Sequence, residues 1–199
     1  MEIVVFGAGS LGSLIGGLLA QVHDVTLVGR PTHMAAVERS GLTVCGAVET
    51  EVMPHATTDG EQLNVRLSVR TVEAKDAETA AAALSTGTFE AVCSLQNGFT
   101  EETLAATLSV PVVAGTTTYG ARLTGPGCVD CTGRGTVTVG VHTDDPDAVV
   151  TECAVWVAEA FRTAGIETVV AEDMARRRWE KLAVNAAINP ITGLTRVKN

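Results

Sequence analysis

The chain has 199 residues, of which 46% are apolar, 19% charged and only 4% aromatic, and its mean hydropathy is +0.25. Such a composition supplies a core of Val, Leu, Ile and Ala and excludes a disordered chain. Fourteen basic against 23 acidic residues give a net charge of −9. That balance argues against wrapping nucleic acid or lying on an anionic membrane, because both need a basic face.

No apolar run reaches the ~18 residues of a spanning helix. Met1-Glu2 lacks the basic start of a secretory signal, so a cytoplasmic protein is expected. The five cysteines are an odd number without disulfide-scaffold density.

Glu2 to Phe6 is a short apolar, β-branched run bounded by glycine, the pattern of a buried parallel strand. Ser10 to Gln21 follows as a helix, with Leu11, Leu14, Ile15, Leu18 and Leu19 on one stripe. Val25 to Val28 reads as a second strand and Pro31 to Ser40 as a helix. Leu42 to Met53 alternates weakly and is open between strand and hairpin. Val65 to Val69 is a strand, and an Ala-rich helix follows near Ala74 to Leu84. Ala91 to Leu95 and Val110 to Ala114 are strands around a helix near Glu101 to Leu108. This alternation predicts an α/β fold, a Rossmann-type doubly wound, mostly parallel sheet with helices on both faces.

The pattern changes after Gly115. Thr116 to Gly140, punctuated by Gly125-Pro126-Gly127 and Gly133-Arg134-Gly135, reads as short antiparallel strands at the sheet edge. Pro146 to Ala164 returns to a helical period, and Glu167 to Val170 reads as a last strand. Asp173 is the expected N-cap of a helix from Met174 to Ile188. The expected division is a dinucleotide-binding domain over 1–171 and the start of a helical substrate domain, absent or truncated beyond its first helix, over 172–199.

Four motifs carry chemistry. Gly7-Ala8-Gly9-Ser10-Leu11-Gly12 fits G-x-G-x-x-G between a buried strand and an amphipathic helix. Gly7 permits the tight turn, Gly9 lets the backbone approach a pyrophosphate, and Gly12 allows close packing of helix on strand. Ala8, Ser10 and Leu11 complete the phosphate cradle at the helix N-terminus. Val28-Gly29-Arg30 ends the second strand without the carboxylate that would accept hydrogen bonds from an NAD ribose. Arg30 instead suits a 2′-phosphate through a forked, charge-assisted contact, so NADP(H) is the expected cofactor.

Leu95-Gln96-Asn97-Gly98 places a polar pair after a strand, where parallel sheets bind ligands. Asn97 there is a candidate for the nicotinamide ribose or for orienting a catalytic group. In the last helix Lys181, Asn185 and Asn189 recur at i, i+4 and i+8 among apolar neighbours, which makes one polar stripe. Buried amides and ammonium groups need partners, which a polar substrate would supply. Asn189 precedes Pro190, which disfavours helical geometry there.

Other features weigh little. Cys128-Val129-Asp130-Cys131 has C-x-x-C spacing but no second ligand pair, and no metal site is expected. Arg176-Arg177-Arg178 reads as a solvated helix face, and Glu101 and Glu102 as helix-capping acids.

The combination of Gln96-Asn97-Gly98, Gly115-Thr116-Thr117-Thr118 and Trp179-x-Lys181-Leu182-x-x-Asn185-x-x-x-Asn189-Pro190 resembles the ketopantoate reductase (2-dehydropantoate 2-reductase) family, from Gly7 to Asn199. The resemblance implies NADPH-dependent reduction of ketopantoate to pantoate, on the route to pantothenate and coenzyme A. It makes Lys181 the catalytic lysine that donates a proton or hydrogen bond to the keto oxygen, and Asn97 its positioning partner. Asn185, Asn189 and Asn199 become substrate contacts, and Arg30 the 2′-phosphate arginine.

Departures from the family pattern are Arg70-Thr71-Val72 where a lysine is usual, leaving Arg70 as the cofactor contact, and Tyr119 where histidine is common. The family also adds roughly a hundred residues of helical domain, the size of an ordinary domain. That domain supplies an active-site glutamate. Without it the last helix would be partly uncovered and self-association expected. The alternatives are a non-catalytic NADP(H)-binding module, a truncated paralogue, or a reductase of a different 2-keto acid.

Overall fold

A computed structural model describes residues 1–72, 77–96, 101–143 and 148–195; at 77–79, 185 and 188–195 the backbone alone is described. In chain order the elements are β1 (Glu2–Phe6), α1 (Ser10–Leu19), β2 (Asp24–Val28), α2 (Pro31–Ser40), β3 (Leu42–Gly46), β4 (Thr50–Val52), β5 (His55–Thr57) and β6 (Leu67–Arg70). There follow α3 (Ala77–Leu84), β7 (Ala91–Ser94), α4 (Glu101–Thr107), β8 (Val112–Thr117), β9 (Gly120–Gly125), β10 (Cys128–Gly133), β11 (Val137–Gly140), α5 (Ala148–Thr163), β12 (Thr168–Val170) and α6 (Met174–Thr195).

The main sheet has the order β12-β11-β8-β7-β6-β1-β2-β5. The strands from β8 through β5 run parallel, and β11 is antiparallel to β8. Strand β1 has a neighbour on each side from opposite directions of the winding, so its carboxyl end opens onto the crevice where such sheets take ligands.

Both faces are covered, which is why these strands read as continuous apolar runs. On one face Ile3, Val5, Leu67, Val69, Ala91 and Val113 pack with Leu14, Ile15 and Leu18 of α1 and with Val157 and Phe161 of α5. On the other, Val4, Phe6 and Val92 pack with Leu84 and Phe89. Val112 meets Leu104 of α4 and Ala81 of α3 there, and Ala114 meets Met174 at the start of α6.

The stretch expected to hold edge strands divides. Only β11 joins the main sheet, while β9 and β10 form a separate four-stranded sheet of order β4-β3-β10-β9. There β10 lies parallel to β3, with Val129 opposite Val44. Their apolar side chains (Leu42, Val44, Val129 and Cys131) pack on α1, which explains why this hairpin leaves the edge of the main sheet. α1 therefore lies between two sheets.

Helix α6 runs to Thr195, past Ile188 where the sequence predicted its end, and takes Pro190 into its length. The Asp173 carboxylate accepts hydrogen bonds from Arg176 Nη2 (2.7 Å) and Arg177 Nε (2.6 Å). The short edge strand β5, beside β2, had no signal of its own in the sequence.

Candidate active site

The turn after β1 is shaped by the absence of side chains. Gly7 has φ +94°, and a Cβ there would lie 2.7 Å from Val72 Cγ1 and 2.8 Å from Val72 N. A Cβ on Gly12 would collide with the Gly7 carbonyl oxygen and stand 2.5 Å from Thr71 Oγ1. Gly9 is the exception, since a Cβ there would meet only the Gly7 oxygen, at 3.9 Å. Its open side is the approach a pyrophosphate needs.

The first bond of α1 runs from Ser13 N–H to Gly9 O at 2.9 Å. The N–H groups of Ser10, Leu11 and Gly12 come before it, so they are free to face an anion. No acidic residue occupies that turn. The Ser10 hydroxyl accepts the Leu123 N–H at 3.1 Å, which ties the cradle to β9. Arg30 is exposed and stands as the N-cap residue of α2, immediately after β2. A Cβ on the preceding Gly29 would lie 3.0 Å from Ala8 Cβ, so the arginine issues from beside the glycine turn.

Lys181 belongs to the same edge of the sheet. Its Nζ donates to the carbonyl of Thr117, the last residue of β8, at 3.1 Å. The side chain is half-buried, and desolvation pushes its amine below the usual lysine range. Leu95, just after β7, packs on β8: a Cβ on Gly115 would lie 2.5 Å from its Cδ2. The glycine turn and Lys181 therefore share one carboxyl edge, from β1 across β6 and β7 to β8, three strand spacings or roughly 14 Å.

Beneath that edge lies a cluster of buried charge. Arg70 is 1% exposed, Glu101 1% and Arg178 6%. Arg178 Nη2 donates to Glu101 Oε2, and its Nη1 reaches the His142 carbonyl at 3.4 Å. Burial lowers the Arg70 pKa, and the Glu101 charge partly offsets this. Burial, with Glu101 adding to it, pushes the Cys93 thiol up to about 12, so this cysteine is no nucleophile. Gln96 is also buried, and among the described residues neither of its amide atoms meets a partner.

A donor-lined glycine cradle, a flanking guanidinium and an orphaned amide along one edge suit a dinucleotide. The sequence model described as "Ketopantoate reductase PanE/ApbA" matches residues 3–144. The chain belongs to the ketopantoate reductase family.

It is 38% identical to the 2-dehydropantoate 2-reductase of Pyrococcus horikoshii, over all of this chain and 65% of the relative. To that of Halobacterium salinarum it is 40% identical, over all of this chain and 67% of the relative. The chain thus spans about two thirds of the length of these curated relatives. A PanE/ApbA family ketopantoate reductase from Ralstonia eutropha superposes with a TM-score of 0.86 at 28% identity, over 98% of this chain and 65% of that one. A D-mandelate dehydrogenase solved with NADH and anilino(oxo)acetate has the same fold, with a TM-score of 0.84 at 24% identity, over 96% of this chain and 64% of that one. Ketopantoate reductases take a nicotinamide dinucleotide as cofactor. Among the described residues no helix is long and apolar enough to cross a membrane.

Of the residues singled out in the sequence, Gly7 to Gly12, Arg30 and Lys181 fall on the shared edge. Asn97 and Asn199 lie outside the described residues. Asn185 and Asn189 stand one and two turns beyond Lys181 on the α6 backbone. Arg70, expected to meet the cofactor, is turned inward beside Glu101.

Two readings need correction. Arg176 and Arg177 are exposed as expected, but Arg178 is buried, and Glu101 is its partner rather than only a capping acid. The signal for Arg178 was spacing. Met174, Arg178 and Lys181 recur at i, i+4 and i+7 and share a face, with Arg177 at its rim and Arg176 on the far side. Buried His33 of α2 was also missed. Its Nδ1 accepts the Gly127 N–H at 2.9 Å, so Nε2 carries the proton toward Ser13 Oγ, also at 2.9 Å.

Proposed function

We propose that this chain is the cofactor-binding portion of an NADPH-dependent 2-dehydropantoate 2-reductase. The observation that carries this reading is the Lys181 amine fixed at Thr117 on the same sheet edge as the open Gly9. Bound NADPH supplies the hydride. The N–H groups of Ser10, Leu11 and Gly12 hold its pyrophosphate, and Arg30 engages the 2′-phosphate. Asn97 completes the proposed cofactor contacts, while Arg70, buried beside Glu101, lies beneath that edge. Asn185, Asn189 and Asn199 line the keto-acid side, with residues 172–199 read as the beginning of a helical substrate unit.

Reduction of a ketone leaves negative charge on its oxygen. Lys181 stabilises that charge and delivers the proton, and desolvation makes its ammonium a stronger acid for this task. The rate then falls as pH rises through the Lys181 pKa, with an alkaline limb below the ordinary value of 10.5.

The test is NADPH oxidation with ketopantoate beside a panel of other 2-keto acids. Preferred turnover of ketopantoate supports the proposal, and faster turnover of another keto acid reassigns the substrate. Tight NADPH binding without turnover of any acid favours the non-catalytic module. Trp179 and Val184 on α6 are 63% and 55% exposed. We propose this face as the contact in self-association, and a Trp179→Glu variant of lower mass in sedimentation would support it.

A further inference from the structure

Among the described side chains, helix α6 meets the body of the protein along one narrow line. Met174 is buried against the Ala114 side of the sheet. One turn later Arg178 enters the buried cluster, and Lys181 then reaches Thr117. On the remaining circumference Trp179, Ala183, Val184, Ala186 and Ala187 are exposed. An apolar contact such as that of Met174 is non-directional and leaves rotation about the helix axis open. A charge-assisted pair between a planar guanidinium and a carboxylate fixes both distance and angle.

Glu101 is the first residue of α4, four positions after Asn97 in the sequence. Its ion pair ties α4 to the helix that carries Lys181. The pair is almost fully withdrawn from water, so solvent screens it little and it constrains the helix strongly.

We propose that Arg178 and Glu101 form a clasp that sets the height and rotation of α6, and are thereby positioning residues for Lys181. This rests on the reading of Lys181 as the proton donor. The clasp holds the amine in its desolvated place at Thr117, and opening it lets the lysine swing into water.

The test uses the full chain, which carries lysine at only three positions, 75, 181 and 198. Competitive acetylation with acetic anhydride across pH, read by peptide mass mapping, gives the titration midpoint of Lys181 against Nα-acetyl-lysine amide. In the wild type the midpoint lies below that of the reference. Arg178→Ala is expected to bring it up to the reference, and Arg178→Lys to retain most of the wild-type displacement. A destabilising core change on the opposite face of the sheet, Val157→Ala, is expected to leave the midpoint in place.

A folded Arg178→Ala with a wild-type midpoint overturns the proposal, as does a Val157→Ala that moves the midpoint equally. So does a wild-type Lys181 that titrates with the reference. Should Arg178→Ala fail to fold, Glu101→Gln decides. It keeps the side-chain shape, and an unmoved midpoint there rejects the clasp. No cofactor or keto acid enters this experiment, so absence of ketopantoate turnover leaves its result standing.

Discussion

The two ends of the proposed cleft are held by different means. Around Gly7 and Gly12 the main chain packs so closely on Thr71 and Val72 that side chains are excluded, and position is set by backbone shape. Around Lys181 position is set by side-chain tethers, the Arg178–Glu101 pair and the bond to Thr117, while much of α6 stays exposed. A cradle made of backbone suits a pyrophosphate, which is bound the same way whichever substrate arrives. A tethered amine suits chemistry, because its environment tunes its acidity.

The sharpest way to break this comparison is at the amine. Lys181→Ala is expected to lower kcat about 10²–10⁴-fold while leaving the NADPH dissociation constant nearly unchanged in a fluorescence titration. Comparable loss of both would mean that the ends are not separate. Next in size, Gly12→Ala is expected to cost about 1–3 kcal/mol of stability through overpacking, measured by urea unfolding, and to weaken NADPH together with NADH. Arg30→Ala is expected to weaken NADPH about tenfold or more while sparing NADH, the signature of a lost charge-assisted contact. Equal weakening of both would place the 2′-phosphate elsewhere.

The smallest expected effect is a pH dependence. Burial holds the His33 pKa below its ordinary value of 6.5, so the folded protein resists a proton that the unfolded chain accepts. Stability is therefore full above pH 6.5 and falls as the pH drops below it. A thermal melt series from pH 8 to 5.5 should show this decline, and His33→Asn should flatten it. An unchanged slope in that variant would remove His33 as the cause.

The glycine cradle was legible because its determinants are local: an apolar run, three glycines at fixed spacing and a helical stripe within twenty residues. The sheet followed from the same alternation. The second sheet was not legible, because pairing β10 with β3 joins residues more than eighty positions apart, and neither strand announces its partner. Arg178 was hidden in a run of three arginines, where adjacency suggested one solvated face although the helical period turns the third inward. Glu101 looked like an ordinary first-turn acid, since its partner lies 77 residues away. Local patterns pointed to the glycine turn and to Lys181, whereas the ionic network beneath them needed the folded chain.

Gly16 and Gly17 let α1 fit between its two sheets, the first against Leu27 and Val5, the second against Val44 and Leu42. Half of the second sheet comes from β9 and β10, encoded more than a hundred residues after the cradle itself. A nascent chain can make the first turn early, but the helix is not gripped from both sides until Gly133 has left the ribosome. Firm nucleotide capture is thus a late event in synthesis, and a shorter translation product would carry the intact fingerprint without its grip.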